Sequence, residues 1–152
     1  MRKAIVILVL GAAFFARAAS ARLGETLEGC EARYGFKIGQ AGADAFLFSK
    51  DGITITVWFE NNRSVRELFR PAPGTSISEE EAIDLLNANS GGSSWKMQQE
   101  NLFRGWRTYV RVDAQAFAKY EWHGTLDAKT GISLMIQKRT IRVPKKPSDS
   151  GF

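Results

Sequence analysis

Metal-binding and nucleophilic side chains are nearly missing from this sequence. Cys30 is the one cysteine and His123 the one histidine among 152 residues. A zinc site gathers several such ligands, so one built on these two residue types is excluded. A single cysteine also rules out an internal disulfide, while pairing between chains stays open. The chain is long enough to bury a single core without such staples. A phosphate-cradling loop is missing too, because Gly91-Gly92-Ser93-Ser94 has neither the lysine nor the preceding strand that one requires. Nor is there a nucleophile elbow.

What remains of the reactive residues reads as structure. Leu27, Cys30 and Tyr34 fall at i, i+3 and i+7, one face of a helix, which predicts a buried and inert Cys30. A catalytic Cys30–His123 pair would need an accessible thiol in an electropositive setting. His123 sits near a strand end beside a turn, as a solvated side chain does. No catalytic residue, metal ligand or cofactor is therefore assigned, and the chain is expected not to be an enzyme.

Long apolar runs are also scarce. The one present, Ala4 to Phe15, follows Met1-Arg2-Lys3 and precedes the small residues Ala16 to Ala21, interrupted by Arg17. A positive start, a short apolar stretch and a small-residue end make a secretory signal. Ala19 and Ala21 suit the peptidase pocket, so cleavage is expected before Arg22. The run is shorter than the roughly 20 apolar residues of a membrane-crossing helix. No transmembrane span is expected after processing, and the mature chain is placed in the periplasm or outside the cell.

Excess charge of one sign largely disappears with that segment. The full chain carries 21 Lys+Arg against 16 Asp+Glu. Three of those cations, Arg2, Lys3 and Arg17, leave with the signal, so 18 against 16 gives a mature balance of +2. Such a balance, in that compartment, argues against a nucleic-acid partner.

The mature sequence alternates helical and strand signals. Thr26 reads as an N-cap, Glu28 lies in the first turn and Gly35 as a C-cap, giving a helix over about Leu27 to Tyr34. Strands follow at Ala45 to Ser49, Ile53 to Glu60 and Ser64 to Arg70, with hairpin turns at Asp51-Gly52 and Asn61-Asn62. In the second of these, Ile53, Ile55, Val57 and Phe59 alternate with Thr54, Thr56 and Trp58. Pro71, Pro73 and Gly74 end this stretch. Ser78-Glu79-Glu80-Glu81 then forms a capping box ahead of Ala82 to Asn89, and this accounts for the three carboxylates. Strands are expected again at Gly105 to Val112, Phe117 to His123 and Ile132 to Lys138, with Trp95 to Met97 as a short edge strand.

These signals predict an α+β fold. It has two tandem helix-then-antiparallel-strand units, with the helices packed on one face of the sheet. The expected division is a signal peptide over 1–21, a single domain over 22–140 with units about 22–73 and 74–140, and a basic tail over 141–152.

Gly24-Glu25-Thr26-Leu27, followed by Tyr34-Gly35, resembles the opening of the beta-lactamase inhibitor proteins and of the small lipoproteins of outer-membrane assembly. It is similar also to uncharacterised exported proteins of Gram-negative bacteria that share this start. The resemblance implies tandem helix–strand units and binding to a protein, including inhibition of an exported enzyme. Disulfides brace the inhibitor family, and one cysteine cannot supply them. The lipoproteins carry a lipidated cysteine where this chain has Arg22. No binding residue transfers.

The surface that stands out is aromatic and cationic. Arg107, Tyr109 and Arg111 share one face of a predicted strand, Arg104 lies just before it, and Tyr120 and Trp122 fall on a neighbouring strand. Arginine with aromatics suits a protein partner in the cell envelope, or an anionic glycan or lipid. The expected role is a non-catalytic binding module acting through the open sheet face.

Overall fold

The structure, a computed structural model, describes residues 22–123 and 130–139. The expected signal segment over 1–21, the expected tail over 141–152 and most of the turn expected from Asp127 lie outside these residues.

Local chemistry sets the two helices. Helix α1, Leu27–Tyr34, begins where Thr26 Oγ1 accepts the Gly29 amide, and it stops at Gly35, whose φ of 88° favours glycine. Helix α2, Glu79–Ala88, begins at a complete capping box: Glu81 N donates to Ser78 Oγ, and Ser78 N donates to the Glu81 carboxylate.

Eight strands make up most of the rest. They are β1 (Gly39–Gln40), β2 (Ala45–Lys50), β3 (Ile53–Glu60), β4 (Arg63–Pro71), β5 (Trp95–Asn101), β6 (Trp106–Arg111), β7 (Ala116–His123) and β8 (Thr130–Lys138). Asp51 and Gly52, at φ 51° and 77°, turn β2 into β3. Asn61 and Asn62, at φ 50° and 58°, do the same between β3 and β4. Positive φ at both central residues matches the right-handed twist of paired strands, which is why Asp-Gly and Asn-Asn stand there.

All eight strands form one antiparallel sheet in the order β1-β2-β3-β4-β8-β7-β6-β5. The chain leaves β4, passes through α2, and returns so that β8 pairs with β4 over Arg66–Phe69 and Leu134–Gln137. This overturns the expected architecture of two tandem units with a helical layer packed on the sheet. Strand accounts for 50% of the described residues and helix for 16%. Eight and ten helical residues span only ~12 and ~15 Å, whereas seven strand gaps of ~4.8 Å make a sheet ~34 Å wide. The helices are too short to form a layer, and the β4–β8 ladder erases any boundary between units.

One face of this sheet faces a single core. Phe48, Ile55, Val57, Phe69, Tyr120, Leu134 and Ile136 meet Cys30 and Tyr34 from α1, and Ala82 and Leu86 from α2. The segment before α2 is pinned by a bridge between Ile77 and Gly131, and Tyr120 Oη donates to the Ile77 carbonyl at 2.8 Å. A Cβ at position 131 would overlap that carbonyl, so glycine permits the approach. At the sheet edges, β1 has two residues. Strand β5 is longer than the expected Trp95 to Met97, and a bulge between Met97 and Gln99 interrupts it. Short or bulged edges discourage pairing with another chain.

Candidate functional site

Strand register decides which side chains reach solvent. Arg107 lies opposite Tyr120, and Tyr109 opposite Ala118. The anticipated aromatic and arginine residues are thus brought together, but on the covered face. Tyr109, Tyr120 and Trp122 are buried, at 8%, 0% and 3% exposure. Arg107 is held by Glu79 from α2 and by Glu100 from β5, and its guanidinium lies 5.9 Å from the Trp122 ring. Arg111 pairs with Asp113. These residues tie the sheet to α2 and to its own edge, so they are structural. Arg104 alone stays exposed, in the turn between β5 and β6. This corrects the expected binding face.

The opposite face has no cover among the described residues. Three rows of side chains cross it. One runs Trp58, Arg66, Gln137, Phe117, Val110 and Lys96; the next runs Leu47, Thr56, Leu68, Met135, Lys119, Thr108 and Gln99. A partial third row holds Ser133, Glu121, Trp106 and Asn101. Leu68, Met135, Phe117 and Val110 make an apolar centre of half-buried side chains. Cation–aromatic pairs stand at two diagonal corners. The Arg66 guanidinium lies 3.8 Å from the centre of the Trp58 ring, and Lys119 Nζ lies 6.0 Å from that of Trp106. Lys119 is also bonded to Glu121, at 2.6 Å.

At the Trp58 end, the face opens into a depression of about 520 Å³. Asp44, Trp58, Glu60, Arg66, Gln137 and Arg139 line it. Strand alternation groups Trp58 with the threonines, and it puts Trp106 on the side opposite Arg107, Tyr109 and Arg111. That alternation was the signal for this surface, and only the choice of face was missing.

Beneath the other face lies a buried ionic cluster. Arg33 is ion-paired with Glu25 and stands 3.5 Å from Glu67. Tyr34 Oη donates to Glu67 Oε2, and Arg33 Nη1 donates to Tyr34 Oη, each at 3.0 Å. Burial pushes the Glu67 carboxyl above the ordinary carboxylate range, and Arg33, Tyr34 and Asn89 pull it back only in part. The same burial, with the Glu67 charge adding to it, raises the Cys30 thiol to about 12. Cys30 is wholly buried and His123 is exposed at the end of β7. A thiol so protonated is no nucleophile at neutral pH.

Among the described residues, no cluster of three or more His, Cys, Asp or Glu is placed to hold a metal ion. No helix among them is long and apolar enough to cross a membrane. Compared with known proteins, the chain matches no family model, no curated protein and no solved structure.

Proposed function

We propose that this chain is an exported, non-catalytic interaction module of the cell envelope, and that it docks a protein partner on the outer face of its sheet. One observation carries the reading: an apolar centre of Leu68, Met135, Phe117 and Val110 stands uncovered among the described residues, with Trp58 and Trp106 at its corners. A sheet ~34 Å wide with rows of side chains over ~20 Å offers about 700 Å², close to the ~800 Å² per partner of a standard interface. Aromatic residues and an arginine around a half-buried apolar centre match the composition of interaction hot spots. The buried thiol, the ion pair of Glu79 with Arg107 and the capping role of Glu81 support a module that does no covalent chemistry.

A photo-crosslinking amino acid placed at Gln137 or Thr108, in cells that make the protein, tests this reading. A discrete adduct is expected from both positions, and the further change Met135→Asp should abolish it. Asp84, exposed on α2, is the control. Equal adducts from position 84, or none from the sheet, would show that the outer face is not the docking surface.

A further inference from the structure

Cations on the two faces of the sheet are treated differently. Three arginines on the covered side hold carboxylates: Arg33 with Glu25 and Glu67, Arg107 with Glu79 and Glu100, Arg111 with Asp113. On the outer side, Lys119 is matched by Glu121. Arg66, Arg70 and Lys96 have no ion-pair partner among the described residues. By register Arg70 stands opposite Thr54, Arg66 opposite Trp58 and Gln137, and Lys96 opposite Val110, so all three project from the uncovered face. Asp44 and Glu60 lie at the rim beside Lys138 and Arg139, which leaves that rim mixed and the surplus of positive charge on the strands.

We infer that the partner presents carboxylates over an apolar surface, and that Arg66, stacked on Trp58, is where one of them is recognised; this rests on the outer face being the docking surface. Stacking fixes the plane of the guanidinium against the indole and leaves its N–H edge free for a bidentate carboxylate. Gln137 lies directly opposite Arg66 and offers a neutral donor beside it. A flexible lysine would not be held in this way. A second copy of the chain is a poor occupant, because it would bring the same unmatched cations against these. A purely anionic polymer would leave Leu68, Met135 and Phe117 without an apolar counterpart. An acidic protein surface with an apolar middle satisfies both features.

The test uses the processed chain, labelled with ¹⁵N, and two short peptides, Glu-Leu-Phe-Glu and Gln-Leu-Phe-Gln, with blocked ends. The acidic peptide should shift the Trp58 indole and Arg66 Nε resonances saturably, and far more than the neutral one. Arg66→Gln should weaken it about threefold, within the range of one half-exposed ion pair, while signals elsewhere stay in place. Raising the salt should weaken it further. If both peptides move the outer-face signals equally, the carboxylate inference fails and the docking face stands. If neither peptide moves them, at concentrations up to tens of millimolar, both fail. Sulfated glycan or anionic vesicles shifting Trp58 where the acidic peptide does not would overturn the acidic-protein partner in favour of a polymer or lipid.

Discussion

Glu67 is a carboxylate placed where water does not reach it. Its pairing with Arg33 returns part of the lost hydration, yet its proton is bound more tightly in the folded chain than in the unfolded one. The folded state therefore holds more protons than the unfolded state between the ordinary carboxylate range and the raised value. Stability from this group is full below the unfolded pKa and is lost as pH rises through the folded one. Glu67→Gln removes that dependence while keeping an acceptor for Tyr34. Chemical denaturation at several pH values from 4 to 8 should show the wild type losing stability relative to the variant as pH rises. A gap that stays flat across that range would show that burial does not dominate at this carboxyl. None of this was legible in the sequence, where Glu67 is one residue of an alternating strand. The groups that reach it, Arg33 and Tyr34, stand more than thirty positions earlier.

Elements were more legible than faces. Helix α1 runs over Leu27–Tyr34 and α2 starts at the capping box, as the local pattern indicated, because caps and turns are settled by neighbours in sequence. The same locality makes α2 testable. Ser78→Ala should cost about 1 kcal/mol, seen as a lower denaturation midpoint with an unchanged slope. A loss near zero would mean that the Ile77–Gly131 bridge, not the cap, holds the start of the helix. Face assignment failed for a different reason. Alternation in β6 tells that Arg107, Tyr109 and Arg111 share a side, but not which side is covered. Arginine suggests solvent until Glu79, twenty-eight residues away, is seen to neutralise it. The outer surface was legible only as a set of residues left over, with Trp58 and Trp106 among them.

At the scale of the whole molecule, one ladder makes two strand groups into one sheet. Separate units would unfold separately, and each would keep its own core. Here Phe69 of β4 and Leu134 of β8 lie opposite each other in the register and share the core, so neither half has a finished interior. Heat or denaturant should produce one transition, followed identically by tryptophan fluorescence and far-ultraviolet circular dichroism. Polypeptides over 22–73 and 74–140, made separately, should each lack cooperative unfolding. Two resolved transitions, or an independently folded half, would restore the picture of tandem units.

Strand β8 follows every other strand in the chain, yet lies fourth from the edge, between β4 and β7. The order of synthesis and the order of strands across the sheet therefore differ. As the polypeptide emerges from a ribosome or a translocation channel, β4 and β7 each offer an unfilled hydrogen-bonding side until this late segment arrives. The longest-range pairing is also the last available, which slows closure and keeps the earlier strands pliable. Under the export proposed above, that delay would be an advantage. The chain would stay passable while still moving, and would seal only once nearly all of its sheet had reached the far side.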